Sequence, residues 1–138
     1  MNYLDQAIRT AERSHFMKFQ NGCVIVKNDK IVARGWSHIS NRKLNSLFST
    51  HAEFHALMRA KHLDLTGATI YVATIARKSG NLTLARPCAD CARILYENGI
   101  ETAIYTTDNS TYSVLNLAHQ HNLKQYKTRE VLELERVS

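Results

Sequence analysis

GCVIVKNDKIVARGW, residues 22–36, is the stretch from which the fold of this 138-residue chain can be worked out. Two runs rich in β-branched residues flank the dipeptide Asn28-Asp29. Such runs are typical of strands, and an Asn-Asp pair between them is typical of a tight turn. The stretch therefore predicts a β-hairpin with strands over 22–27 and 30–36.

The segments around the hairpin alternate between helical and strand patterns. Before it, apolar residues recur at the spacing of one helix face and predict a helix over 3–14. After it, Thr50 and Glu53 have the spacing of a capping box and predict the start of a helix. The remaining patterns predict these elements: a loop over 37–49, the capped helix over 50–62, a strand over 68–74, a loop over 75–86, a helix over 88–98 and a strand over 100–107.

The end of the chain leaves two alternatives open. After Asp108 the chain either turns into an antiparallel strand over 111–115, or Ser113 caps a helix that runs to His121. Strands that alternate with helices predict a mixed sheet covered on both faces. We therefore expect an α/β fold of three layers, α/β/α, and a single domain over 1–138, since neither a repeat nor a linker divides the chain.

Two short clusters carry chemically active side chains. They are His51-Ala52-Glu53 and Pro87-Cys88-Ala89-Asp90-Cys91, each at the start of a predicted helix. A Cys-x-x-Cys pair on one helical turn can share a metal ion, and an imidazole can add a third ligand. Two sulfurs and one nitrogen favour zinc over a hard cation. Three protein ligands leave the fourth tetrahedral position open, as in catalytic zinc sites.

Glu53 follows the predicted ligand His51 by two residues. At that spacing its carboxylate can face the open position without being a ligand, and it can take and return protons there. A histidine, a nearby glutamate and a Pro-Cys-x-x-Cys run form the motif of zinc-dependent nucleobase deaminases. The clusters therefore indicate hydrolytic attack on an electrophilic carbon.

The spacing of the two clusters resembles that of the cytidine/deoxycytidylate deaminase superfamily. Glu53 and Pro87 are separated by 33 residues, and the resemblance extends over about residues 1–107. It implies a cytidine deaminase-like fold with a five-stranded mixed sheet between helices. It also implies hydrolytic deamination of a cytosine or adenine base with release of ammonia, and association into homo-oligomers.

The resemblance implies a role for each residue of the two clusters. His51, Cys88 and Cys91 would bind one zinc ion per chain, and Glu53 would carry protons. The backbone amides of Ala52 and Cys88 would contact the pyrimidine carbonyl and the attacking oxygen.

Two simpler interpretations compete with a catalytic site. His55 lies one helical turn after His51 and could close a structural Cys₂His₂ zinc site. The side chain of Glu53 could serve only as a helix cap. In a structural site the histidines would precede the cysteines, with 32 residues between His55 and Cys88, which is the wrong order for a zinc finger. A cap would explain Glu53 alone, whereas the deaminase interpretation explains both clusters together.

The substrate is less well defined by the sequence. The nucleotide and polynucleotide branches of the superfamily often carry a sugar-contacting Asn after a Gly-aromatic pair, but here Gly35-Trp36 precedes Ser37. Asn21, Asn41 or Asn45 could replace it, and Phe48 could contact the base. We expect a cytosine nucleoside or nucleotide as substrate. The alternatives are a base in single-stranded DNA or RNA and, without catalysis, a zinc module that binds nucleic acid.

Composition limits the class of protein. The chain has 18 Lys and Arg against 12 Asp and Glu, hence a net charge of +6, which suits an anionic partner such as a nucleotide or nucleic acid. Three cysteines make no disulfide framework, and they point to reduced or metal-bound thiols. The apolar runs are too short to cross a bilayer, and residues 1–8 lack the basic region that is typical of a secretory signal. We therefore expect a cytoplasmic protein without membrane contact.

Overall fold

The computed structural model of the chain describes residues 2–16, 18–39 and 49–118. Within them it contains three helices: α1 (Tyr3–Ala11), α2 (Ala52–Arg59) and α3 (Ala89–Glu97). The same residues contain these strands: β1 (Phe19–Lys27), β2 (Lys30–Trp36), β3 (His38–Ile39), β4 (Ser49–Thr50), β5 (Thr69–Ala76), β6 (Asn81–Thr83), β7 (Thr102–Thr106) and β8 (Tyr112–Asn116).

The central sheet is mixed. Its strand order is β2-β1-β5-β7-β8, and the short strand β6 pairs with the end of β5. β5 and β7 run parallel, whereas β1 is antiparallel to both β2 and β5, and β7 is antiparallel to β8. The α/β class and the mixed sheet are thus confirmed. The four predicted strands and the alternative strand after Asp108 form the main path, and β6 lies in the segment predicted as a loop.

Both faces of the sheet are buried, which explains the continuous apolar run of β1. Cys23 and Ile25 belong to the larger core, which also contains residues of α2 and α3. Val24 and Val26 point to the opposite face and pack with residues of α1. A strand buried on both faces carries apolar residues without alternation. The three-layer arrangement is confirmed by these two cores.

The predicted hairpin is present. Asn28 and Asp29 have φ angles of 52° and 62°. Two positive φ angles in a two-residue turn match the right-handed twist of the strands. β1 begins at Phe19, three residues before the predicted start, because it also pairs with β5 from Phe19 onwards.

Helix α2 begins differently from the prediction. Thr50 lies in β4, where it pairs with His38 of β3. The capping position is held by His51, which has extended backbone angles and makes no side-chain capping bond. The predicted capping box of Thr50 and Glu53 is therefore wrong, because pairing with β3 holds Thr50 in extended conformation.

The chain reverses after β7 and forms an antiparallel strand. The Asp108 carboxylate accepts hydrogen bonds from the backbone N–H groups of Ser110 and Thr111, which closes a tight turn. β8 follows at Tyr112, and Ser113 is buried within it. Of the two alternatives for this segment, the strand is therefore confirmed and the helix from Ser113 is wrong.

Within the described residues, none of the helices combines the length and the apolar character that crossing a membrane requires.

Candidate active site

A cleft of about 260 Å³ lies where the first turns of α2 and α3 meet the end of the sheet. The helices contribute His51, Glu53 and Cys88 to its lining. The strands contribute Asn21 at the start of β1 and Thr74 near the end of β5, which face each other across the β1–β5 pair. The cleft thus brings both sequence clusters to one place.

His51, Cys88 and Cys91 form a group that could hold a metal ion. Their ligand atoms all lie within 4.8 Å of one another. His51 Nδ1 is 3.3 Å from Cys91 Sγ and 3.9 Å from Cys88 Sγ. In a tetrahedral zinc site with ordinary Zn–N and Zn–S bonds, a nitrogen and a sulfur ligand are about 3.6 Å apart. The two distances lie on either side of this value, so the three side chains fit zinc.

The two helix starts explain why these side chains converge. Cys88 is the N-cap of α3, and its Sγ accepts a hydrogen bond of 3.4 Å from the backbone N–H of Cys91. His51 is the N-cap of α2. A Cys-x-x-Cys pair on a first turn therefore places two sulfurs beside the imidazole.

The ligand group lies at the boundary between solvent and core. Cys88 is exposed and Cys91 is buried. Burial raises the pKa of the Cys91 thiol far above its usual range, and the charges of Glu53 and Cys88 raise it further. Without a cation beside it this thiol keeps its proton. A metal ion therefore displaces the proton when it binds, as is usual for thiolate ligands.

Glu53 is the buried carboxyl of the cleft, with 7% of its surface exposed. Burial raises its pKa, and the backbone N–H of Glu53 and the charge of His51 partly offset this rise. A carboxyl removed from bulk water holds a proton more firmly than an exposed one. Its placement beside the ligand group, outside the predicted capping box, is the arrangement expected of a proton carrier.

His55 does not join the metal-ligand group among the described residues. Its Nδ1 accepts a hydrogen bond of 3.1 Å from the backbone N–H of Trp36. Its ring makes edge contacts with the rings of Trp36 and His38, each at 4.5 Å between centroids. Desolvation lowers its pKa, as do the charges of His38 and Arg59. The described structure therefore does not support the Cys₂His₂ alternative.

The predicted substrate contacts have different outcomes. Ala52, Cys88 and Asn21 line the cleft. Asn45 and Phe48 lie outside the described residues, and their role stays a prediction. The roles of the ligand group and of Glu53 also stay predictions, although the structure places these side chains together.

Phe16, Leu84 and Thr74 line the cleft and were not predicted from the sequence. Phe16 and Leu84 supply an aromatic and an aliphatic wall, and Thr74 supplies a hydroxyl. Arg86 precedes Pro87 and lines the cleft, and burial lowers its pKa. Thr74 could have been found from the sequence only by pairing the predicted strands β1 and β5, because it has no motif of its own.

Comparison with known proteins agrees with the geometry of the site. The profile of the family described as "Cytidine and deoxycytidylate deaminase zinc-binding region" matches residues 1–107. The chain belongs to this family. It therefore carries the family's zinc-binding region, and it offers one group of described residues that could hold the ion.

Relatives of this deaminase family are similar at low identity. The human deoxycytidylate deaminase is 26% identical over 123 residues, which are 77% of this chain and 63% of that protein. The chain thus spans less than two thirds of that relative's length. The dCMP deaminase of the cyanophage S-TIM5 has a TM-score of 0.59 at 21% identity, over 76% of this chain and 79% of its own. The cytidine deaminase of Burkholderia pseudomallei has a TM-score of 0.65 at 19% identity, over 85% and 91%. These two structures confirm the deaminase fold.

Proposed function

We propose that this protein is a zinc-dependent hydrolase that deaminates a cytosine nucleoside or nucleotide to the uracil form. The observation that carries the proposal is the convergence of His51, Cys88 and Cys91 with the buried carboxyl of Glu53 in one cleft. The similarity to human deoxycytidylate deaminase supports the choice of base. The described cleft has a volume near the lower end of small-ligand pockets.

The chain's own residues account for binding and proton transfer. The reaction adds water at C4 of cytosine and breaks the C4–N4 bond, which leaves a carbonyl at C4 and ammonia. Glu53 takes one proton from the attacking water and delivers it to N3. It then takes the second proton from the oxygen added at C4 and delivers it to the departing amine, so that the C4 carbonyl forms and ammonia leaves. A zinc ion at the three ligands would supply Lewis-acid activation of water at neutral pH. Phe16 and Leu84 offer apolar surface for a planar base, and burial of Glu53 keeps bulk water from its carboxyl.

The test is a deamination panel read by mass spectrometry. Cytidine, deoxycytidine, CMP, dCMP, adenosine and oligonucleotides that contain cytosine or adenine are incubated with the zinc-loaded protein. Glu53→Gln keeps the shape of the side chain but cannot carry the proton, so turnover should fall by about 10²–10⁴-fold. Glu97→Gln makes the same chemical change on the exposed face of α3 and should keep wild-type turnover.

The outcome of the panel decides between classes of substrate. Turnover of a cytosine mononucleoside or mononucleotide, lost only in Glu53→Gln, supports the proposal. Turnover restricted to oligonucleotides would replace it with deamination of single-stranded nucleic acid. If nothing in the panel is converted, the proposed activity is wrong, and a non-catalytic zinc module becomes the better explanation.

The metal ligands are tested separately by metal analysis. Wild-type protein should contain one zinc ion per chain, and Cys91→Ala should lose most of it. Cys23→Ala is the matched control, because Cys23 is also buried but is not part of the ligand group. If Cys91→Ala keeps a full equivalent of zinc, the ligand assignment is wrong.

A further inference from the structure

A hydrogen-bonded pair of polar side chains forms part of the strand side of the cleft. Asn21 of β1 and Thr74 of β5 are opposite residues in the antiparallel pair. Thr74 Oγ1 donates to Asn21 Oδ1 at 2.5 Å, and both residues line the cleft. Thr74 is buried and Asn21 is half-buried. A polar pair placed in this way costs desolvation energy unless its groups find partners.

Thr74 determines which end of the Asn21 amide faces the cleft. Its hydroxyl proton finds Asn21 Oδ1 as its acceptor among the described residues. The neighbouring hydroxyl of Thr106 has no proton to donate to Asn21, because Thr106 Oγ1 donates to the carbonyl of Thr83. The same oxygen accepts from the backbone N–H of Thr74. The amide oxygen of Asn21 is therefore turned to Thr74, and the amide nitrogen is turned away from it.

The backbone of Asn21 is fixed as well. Its N–H donates to Ser37 Oγ at 3.3 Å, and its carbonyl accepts from the N–H of Ser37 at 3.0 Å. Ser37 Oγ also lies 3.0 Å from Ser14 Oγ, so the hydroxyl of Ser37 is engaged within the protein. The strand side of the cleft is thus held in one arrangement before a ligand arrives.

The Nδ2 group of Asn21 remains as a hydrogen-bond donor. Within residues 2–16, 18–39 and 49–118, no acceptor is bonded to Asn21 Nδ2. A carboxamide nitrogen offers two N–H donors and no acceptor. A ligand atom bound there must therefore be an acceptor, and an amino group in that place would leave two donors facing each other.

The position of this donor relative to the reacting groups identifies the part of the ligand that it meets. Glu53 and the ligand group lie at the helix starts, so the reacting carbon must lie there too. Asn21 and Thr74 lie on the strands, where another part of the same ligand must reach them. In a cytosine nucleoside, the acceptor oxygens away from C4 are the ring carbonyl and the oxygens of the sugar.

We propose that Asn21 Nδ2 donates a hydrogen bond to an acceptor oxygen of the bound nucleoside, and that Thr74 is the positioning residue that fixes the Asn21 amide for this contact. The inference rests on the proposed function and adds a determinant of specificity to it. It requires substrates to carry an oxygen acceptor above the strand ends of the cleft.

The test uses three variants of the pair and one control on the zinc-loaded protein. Asn21→Asp keeps an acceptor for Thr74 but replaces the donor by a second acceptor, so KM should rise by well over tenfold. Thr74→Val keeps the shape and removes the hydroxyl, so KM should rise by about fivefold to tenfold with little change in kcat, as for the loss of one ordinary hydrogen bond. Thr74→Ser restores the hydroxyl and should restore KM. Thr69→Val, the same change at the other end of β5, should behave as wild type.

Two readouts separate this contact from a structural role. Thermal unfolding reports the stability of each variant, and calorimetric titration with the uracil nucleoside product reports binding without catalysis. Product affinity should fall in Asn21→Asp and Thr74→Val in proportion to the rise in KM. Free cytosine, which lacks a sugar, identifies the acceptor. If Asn21→Asp raises KM for free cytosine as much as for the nucleoside, the acceptor is the ring carbonyl. If it leaves KM for free cytosine unchanged, the acceptor is an oxygen of the sugar.

The result that overturns the inference differs from the one that overturns the proposed function. If the wild type converts a cytosine substrate and the folded Asn21→Asp and Thr74→Val variants keep its KM and product affinity, the inference alone is wrong. The same holds if Thr74→Ser fails to restore KM. If the wild type neither converts nor binds any nucleoside, the proposed function is wrong and the inference with it.

Discussion

Gly35 sets the distance between β2 and the first turn of α2, and Gly35→Ala tests whether that distance controls the site. A Cβ atom at Gly35 would lie 2.2 Å from the carbonyl oxygen of Ala52 and 2.5 Å from the backbone nitrogen of Ala56. Ordinary contacts begin at 3.4 Å. The helix start would therefore have to move by about 1.2 Å, and because the clash is with backbone atoms, no rotamer change relieves it.

The expected effect of Gly35→Ala has a stability part and a functional part. Overpacking of this kind costs about 1–3 kcal/mol in the free energy of unfolding, which lowers Tm by about 4–12 °C in a domain of this size. Glu53 lies between the two clashing residues and His51 precedes them. A displacement of about 1 Å at a reacting group costs roughly 100-fold in rate, so kcat/KM should fall by about that factor. Zinc affinity, measured by competition with a chelator, should fall by about tenfold or more.

Gly22→Ala is the matched control for this prediction. A Cβ atom at Gly22 would lie 2.1 Å from the backbone nitrogen of Ala11, so it would displace α1 on the opposite face of the sheet. It should lower Tm by a similar amount and leave zinc affinity unchanged. Wild-type zinc affinity and kcat/KM in Gly35→Ala below its Tm would refute the reasoning, as would an equal loss of zinc affinity in Gly22→Ala.

Three further predictions concern stability. Leu95 is fully buried in the larger core, so Leu95→Ala should lower the free energy of unfolding by about 2–5 kcal/mol in urea titrations, and a loss below 1 kcal/mol would show that the core closes around the cavity. The pKa of His55 is held below its ordinary value of 6.5, so the unfolded chain binds the proton at a higher pH than the folded chain does. The free energy of unfolding should therefore decrease as pH falls below 6.5. His55→Asn, which keeps an acceptor for the Trp36 N–H, should show a smaller decrease between pH 7.5 and 5, and an equal decrease would assign the effect to other groups. At a free zinc concentration of about 100 times the Kd for zinc, removal of the ion should lower the free energy of unfolding by about 2.7 kcal/mol. Removal should also expose the Cys88 thiol to alkylation. A Tm insensitive to chelator would contradict a bound ion.

The elements that the sequence predicted well are those whose local and long-range preferences agree. Residues 22–36 carry β-branched runs and a turn dipeptide, and the structure folds them as one hairpin. The start of α2 shows the opposite case. Thr50 has the local chemistry of a cap, but its pairing with His38 takes it into β4. A sequence pattern that reports on its neighbours alone cannot register a contact made twelve residues away.

The end of the described chain shows a related limit. Ser113 could begin a helix by local preference, but it lies in β8 opposite Tyr105 of β7. The turn at Asp108 brings the two strands together, and burial of Leu115 and Leu117 in the larger core stabilises the pairing. The sequence left the choice open because both alternatives bury apolar residues, and only the position of β7 decides between them.

The residues of the candidate site also differ in whether local sequence or long-range pairing places them. The ligand group and Glu53 could be predicted because their chemistry requires fixed residue types at short spacing, and each cluster lies within one helix start. The strand side of the cleft could not, because Asn21 and Thr74 are 53 residues apart and become neighbours only through the β1–β5 register. Under the proposed function, the residues of the reaction chemistry lie in local motifs, whereas the proposed contact to the ligand depends on strand pairing. It follows that Asn21 and Thr74 should alter which nucleoside is accepted, while Glu53 should alter whether any is converted.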